Sequence, residues 1–235
     1  MPRRLELRHI LPVGRPAPLR TLSGFTAAGG DAAWLRNRLS GPDSADLDVG
    51  TPEASAAAWA DDAELAGSLS LTPAAVLVPI ITGPHGGILL TKRTDTLRRH
   101  SGQVSFPGGR IDPADASPEA AALRETHEEI GLDAHSIELI GRLRDYVTGT
   151  GFKITPILGL IQPGYRTTLA PAEVAEAFEL PMTTLLNTNA PQRHSADYKG
   201  RQRHYWVWPH QTHHIWGATA AILVHLAHRL RRGRA

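Results

Sequence analysis

The stretch GGRIDPADASPEAAALRETHEEIG, residues 108–131, decides how the rest of the chain is read. A Gly108-Gly109 turn leads into a loop rich in Asp. Ser117 followed by Pro118 signals a helix start: a side-chain cap, then a proline where the missing N–H is not needed. Glu119 to Ile130 is rich in helix formers, and Gly131 stands where a left-handed residue ends a helix. The spacing predicts Ala120, Leu123 and Ile130 on a buried side. It also puts Glu125, Glu128 and Glu129 at i, i+3 and i+4, three carboxylates on one face.

Like charges so spaced repel, by roughly a few tenths of a kcal/mol per pair on an exposed helix. Their place near the C-terminus adds an unfavourable helix dipole. Arg124, one turn before Glu128, supplies a single offsetting charge. A hard divalent cation, Mg²⁺ or Mn²⁺, offsets more, because it prefers carboxylate oxygen and keeps positions for substrate phosphate. A solvated acidic face is the competing reading, and the favoured one for three glutamates considered alone.

The rest of the chain sets limits. It has 235 residues, 41% of them hydrophobic, enough for one sizeable core plus an extension. A formal net charge of +2 is too balanced to imply nucleic acid as a partner. With no cysteine, disulfides, thiolate catalysis and Cys-type zinc sites are excluded. The opening MPRRLELRHILPV has scattered charge and no apolar h-region, and no run approaches the ~20 apolar residues of a membrane span. The expectation is a cytoplasmic protein without a membrane span; the oligomeric state is not legible.

Residues 1–71 read as an N-terminal extension and residues 72–235 as one domain. Asp31 can cap a short helix carrying Ala32, Trp34, Leu35 and Leu39. Asp43 to Glu64 is Ala-rich and acidic, the composition of a partly mobile segment. Strands are expected at Ala74–Ile81, Gly87–Arg93, Ile137–Leu143, Lys153–Ile161 and Tyr205–Trp208, with a turn at Thr148–Gly151. Leu180–Leu186 reads as a short helix or turn, and Ala218–Leu230 as a final helix covering one sheet face. Arg231, Arg232 and Arg234 then form a solvated end. Strands mixed with helices give an α/β fold, an α/β/α sandwich around a mixed sheet. Lys92, Arg93, Arg98, Arg99 and His100 lead toward the Gly-Gly turn, and guanidinium groups grip phosphate bidentately; a solvated loop is the plainer alternative. His204, His210, His213, His214, His225 and His228 are dense but match no zinc spacing, and Ser101 and Ser105 lack a nucleophile elbow.

Gly109, Arg124-Glu125, Glu128-Glu129 and Gly131 together resemble the Nudix box, the signature of hydrolases that split nucleoside diphosphates linked to another moiety. Asp115 stands where the generic box has a glutamate, and Arg124 comes one residue late. That departure is similar to one branch, the coenzyme A diphosphatases. Leu89-Leu90-Thr91, Arg93, Arg98, Gly102 and Phe106-Pro107-Gly108-Gly109 resemble the second signature of that branch, with Thr94 where Ser or Ala is usual. Glu173-Val174, Phe178, Leu180-Pro181 and Ile215–Thr219 also look like it.

The resemblance implies the Nudix version of the sandwich, divalent-metal-dependent cleavage of coenzyme A or its acyl esters, and 3′,5′-ADP and 4′-phosphopantetheine as products. Glu125, Glu128 and Arg124 become catalytic candidates, and Glu125, Glu129, Glu128 and the Gly109 carbonyl metal ligands. Lys92, Arg93, Arg98, Arg99, Gly108 and Gly109 become candidates for substrate contact. The general base stays open between a box glutamate and a later one such as Glu173. Two alternatives remain: the same chemistry on a dinucleotide or oxidised nucleotide, and a Nudix-like sensor that binds without cleaving. Intact Glu125, Glu128 and Glu129 argue against the sensor.

Overall fold

The computed structural model describes residues 31–39, 71–95, 101–198 and 201–232. Arg98, Arg99 and most of the 1–71 extension lie outside these residues, so the expectations placed on them concern segments not described. In chain order the elements are α1 (Ala32–Leu39), β1 (Thr72–Ile81), β2 (Gly87–Arg93), β3 (Val104–Ser105), β4 (Gly108–Arg110) and α2 (Pro118–Ile130). There follow β5 (Ile137–Arg142), β6 (Tyr146–Val147), β7 (Phe152–Ile161), β8 (Val174–Pro181) and α3 (Met182–Leu186). The chain closes with β9 (Gln192–Tyr198), β10 (Arg201–Trp208), β11 (Ile215–Trp216) and α4 (Gly217–Arg232).

The apolar run in β1 is buried because it lies in the middle of the main sheet, whose order is β3-β2-β1-β7-β5, with β4 also on β1, β6 on β7 and β8 on β2. β1 and β7 are parallel from Thr72↔Phe152 to Ile81↔Ile161, and the other pairings are antiparallel, so the sheet is mixed. Both faces are covered. One core gathers Val78, Ile80, Ile88 and Leu90 with Leu223, Leu226 and Leu230 of α4 and Leu35 and Leu39 of α1. The other gathers Ala75, Leu77 and Leu89 with Ala121, Ala122 and Ile130 of α2. The result is the expected α/β/α sandwich, with β9, β10 and β11 forming a separate three-stranded sheet. Among the described residues no helix is long and apolar enough to cross a membrane.

Helix α2 starts and stops where its sequence says. The Ser117 hydroxyl accepts from the Ala120 N–H at 3.2 Å, and Gly131 takes φ 65° with its N–H on the His127 carbonyl. Its buried stripe differs from the expected one. Ala121, Ala122, Thr126, Glu129 and Ile130 are buried, whereas Ala120 and Leu123 are only half-buried. Small residues take the fully buried positions, and Leu123 packs half-buried against the same core. The Gly108-Gly109 pair is also not a turn. It is strand β4, lying antiparallel on β1 with Val76 opposite Gly108 and Ala75 opposite Gly109.

The extension contributes to the core through α1. Leu35 and Leu39 are fully buried, Arg36 forks onto Glu138 at 2.6 and 2.7 Å, and Arg38 donates to the Leu230 and Arg231 carbonyls at the end of α4. Arg229 returns the contact by donating to the Leu39 carbonyl at 2.7 Å. Arg231, expected in solvent, instead donates to the Leu185 and Leu186 carbonyls at the end of α3, whose last turn has carbonyls to spare. Because Leu35 fills space in the main core, Leu35→Ala should cost about 3 kcal/mol in urea unfolding, the range for a large-to-small change at a closed site.

Candidate active site

The site is built where α2 crosses β4. Gly108 has φ 147°, and a Cβ there would lie 2.4 Å from the Ala75 carbonyl oxygen, so the position admits only glycine. At Gly109 a Cβ would fall 2.5 Å from the Glu125 carboxyl carbon. The Glu125 carboxylate therefore rests directly against the β4 backbone. One turn on, Glu129 Oε2 accepts from the Gly108 N–H at 3.2 Å. Glu129 is 4% exposed, Glu125 20% and Glu128 57%, so the three glutamates grade from buried to solvated along one helix end.

Arg124 organises the outer part. It forks onto Asp115, Nε to Oδ1 at 3.0 Å and Nη2 to Oδ2 at 2.9 Å. Its Nη1 reaches Glu125 at 3.1 Å and Glu128 at 3.2 Å, and its Nη2 reaches the Arg110 carbonyl at 3.3 Å. Asp115 also accepts from the Asp112 N–H at 2.8 Å. Glu128 thus pairs with Arg124 and stands apart from Glu129. Arg93, at the end of β2, sits on the inner side, 3.4 Å from Glu129 and 4.0 Å from Glu173. Glu173 is held in place through its carbonyl, which accepts from the Thr94 N–H at 3.0 Å, while the Thr94 hydroxyl donates to the Ala172 carbonyl.

Burial pushes Glu129 up to about 7, against the opposing pull of the Gly108 N–H and Arg93, with Glu125 and Glu173 raising it further. Burial also raises Glu125, despite its bond to Arg124. Asp115 is held below its ordinary value, first by the hydrogen bonds from Arg124 and then by the Asp112 N–H. Two raised carboxylates, repelled by each other and by Glu173, are a donor set that a divalent cation would stabilise. Among the described residues no group of three or more carboxylate or imidazole side chains forms a ready cage. An ion here would draw on Glu125, Glu129 and backbone or solvent oxygen, which suits a cation that keeps several waters.

Of the expected site residues, Glu125, Glu128, Glu129, Arg124, Gly108, Gly109 and Arg93 are brought together. Lys92 is not among them. Leu89 packs on the α2 side and Leu90 on the α4 side, so strand alternation turns Lys92 to the α4 side, opposite Arg93. The sequence reading missed Asp115 as the anchor of Arg124 and Glu173 as a partner of Arg93. The first follows from its place in the box, and the second had no local signal. Among the histidines, His213 stacks on Phe178 at 3.8 Å with Nε2 3.4 Å from Glu176, and His225 is buried in α4. A cavity of about 450 Å³, lined by His135–Glu138 and Leu160–Tyr165, opens beyond the far end of β7 and holds none of these carboxylates.

The NUDIX domain model matches residues 71–213, well over half of the chain. A protein of Cronobacter sakazakii, described as uncharacterized Nudix hydrolase NudL, is 43% identical over 162 residues, 68% of this chain and 83% of that one. NudL of Photorhabdus laumondii is 41% identical over 157 residues, covering 67% and 84% respectively. The solved MutT protein of Methanosarcina mazei superposes with a TM-score of 0.41 at 23% identity, over 52% of this chain and 86% of that one.

Two outcomes follow from the geometry. Gly109→Ala moves the free end of Glu125 and not backbone, so it should unfold at nearly the wild-type temperature yet bind Mn²⁺ roughly tenfold or more weakly in calorimetry. In ion-free protein, Glu129 binds its proton more tightly folded than unfolded. Its contribution to stability is therefore full below about 4.5 and lost as pH rises through about 7. Urea midpoints across that window should show the decline, and Glu129→Gln should flatten it.

Proposed function

This chain belongs to the Nudix hydrolase family, whose members act on phosphoanhydride bonds, and from that premise we propose that it hydrolyses the diphosphate linkage of coenzyme A and its acyl esters. The products are 3′,5′-ADP and (acyl-)4′-phosphopantetheine. The observation that carries the reading is the fork between Arg124 and Asp115. Both residues depart from the generic box in the way the coenzyme A branch does, and the departures compensate each other. A shorter acid and an arginine one place later still meet in two parallel bonds. The upstream run Leu89 to Gly109, with its arginines, supports the same branch.

In this reading Glu125, Glu129 and the Gly109 carbonyl hold Mg²⁺ or Mn²⁺. The ion supplies charge neutralisation on the non-bridging oxygens and a place to orient water. Arg124 keeps Glu125 and Glu128 in position. Glu128 stays on the solvent side, bonded to Arg124, while Glu173, in the turn just before β8, reaches Arg93 beside Glu129. Arg98, by its place in the upstream signature, and the neighbouring Arg99 are assigned to substrate phosphates, including the 3′-phosphate. Residues 72–235 form the catalytic domain, with α1 of the extension docked on it.

Purified protein given coenzyme A and Mg²⁺ should release 3′,5′-ADP, read by chromatography. Glu129→Gln should lose roughly a hundredfold or more in turnover. Coenzyme A without its 3′-phosphate should be roughly tenfold poorer in kcat/KM. Equal rates on the two would move the reading to another nucleoside diphosphate derivative, and tight binding without product would move it to a sensor.

A further inference from the structure

Arg93 is placed unlike the other site arginine. Arg124 makes a close, two-bond fork with a single carboxylate. Arg93 straddles two carboxylates at 3.4 and 4.0 Å, longer than the ~2.7–2.9 Å of a good charge-assisted bond. Its Nε is buried and has no hydrogen-bond partner among the described residues. A guanidinium with one unused buried N–H and two loose contacts is held by charge and not by fit. Its partner Glu129 also has a shorter bond, from the Gly108 N–H at 3.2 Å. What Arg93 adds is positive charge beside Glu129 and Glu173, and a divalent ion on Glu125 and Glu129 would add the same thing in the same place.

We propose that Arg93 is the resident counter-ion of Glu129 and Glu173 in the ion-free protein, and that it yields Glu129 when a divalent cation binds. Arg93 and the cation then compete for one carboxylate. This makes Arg93 a positioning residue. It keeps Glu129 ordered and turned toward Gly108 until the ion arrives, and its loose geometry lets it leave. The inference rests on Glu129 being a cation ligand, as proposed above, but it makes a claim about binding that needs no turnover. By linkage, a group that stabilises the ion-free state more than the loaded one weakens ion binding, and its removal tightens it.

The test is Mn²⁺ calorimetry at pH 8 without substrate, on wild type, Arg93→Gln and Arg93→Lys, with thermal unfolding in parallel. Arg93→Gln should bind Mn²⁺ roughly three- to tenfold more tightly. Its melting temperature should fall in ion-free buffer, and saturating Mn²⁺ should restore most of the loss. Arg93→Lys keeps a charge but cannot straddle both acids, so it should shift in the same direction by less. Unchanged or weaker Mn²⁺ binding overturns the proposal, as does a melting deficit that Mn²⁺ leaves in place, which is what a merely structural arginine would give. If Arg93→Gln does not fold without ion, Arg93→Lys decides by the same criterion. Absence of Mn²⁺ binding in wild type removes the cation-ligand reading and the competition together, whereas binding without coupling to Arg93 removes the competition alone.

Discussion

The structure depends on one close approach, that of helix α2 to the backbone of β4. One carboxylate of the helix, Glu125, lies where a side chain of the strand would otherwise be, and a second, Glu129, accepts from the strand's backbone. Gly108 and Gly109 make this possible for different reasons. Gly108 takes a backbone angle that other residues adopt at a cost, and its N–H turns to Glu129. Gly109 simply leaves the space that Glu125 fills. Ala75, Ala121 and Ala122 belong to the same core and are fully buried, so the helix meets the sheet across small side chains. A carboxylate kept that dry is expensive, and the expense is what makes it a good ligand for a doubly charged ion.

Two arginines divide the acids between them. Arg124 takes Asp115, Glu125 and Glu128 in close bonds, and the Asp115 fork fixes its plane. Arg93 takes Glu129 and Glu173 loosely. The outer set is rigid and partly solvated, while the inner one is buried and under-bonded. For the proposed cation site, close bonds outside and slack ones inside would let the geometry hold while an ion exchanges. An inner carboxylate bound as tightly as Asp115 would have little affinity left for an ion.

Much of this was legible in the chain. Ser117-Pro118 and Gly131 bounded α2, and the uninterrupted apolar run of β1 announced a strand buried on both faces. The Gly-Gly pair reads as a turn because glycines ordinarily signal turns, and what explains glycine inside this strand is the approach of β1 at Gly108 and of Glu125 at Gly109. Strands β8 and β9 carry Ala, Glu, Gln and Arg in place of β-branched residues and are held by pairing, β8 on β2 and β9 on β10. Their propensity carries no signal. Glu173 was legible as a candidate base through the resemblance but not as a partner of Arg93: it stands far from the box in sequence, and the pairing of β8 with β2, Val174 opposite Arg93, brings it there.

That pairing also explains why the acids gather where they do. The edge of β1 is shared by two strands: β2 meets it at Ile80↔Ile88, and β4 takes Ala74 to Val76. Beyond Ile88, β2 leaves β1 and runs with β8 and β3, carrying Arg93 outward. β3 follows β2 there, the chain crosses to β1 through Pro107 as β4 begins, and the end of α2 bonds both strands. Glu129 reaches both, Gly108 on β4 and Arg93 on β2. A side chain that bonds two strands at once must be long, charged and placed on a rigid helix, and Glu129 is all three. The chemistry follows from a sheet that forks, and the fork follows from two glycines that let β4 lie on β1 beneath a helix.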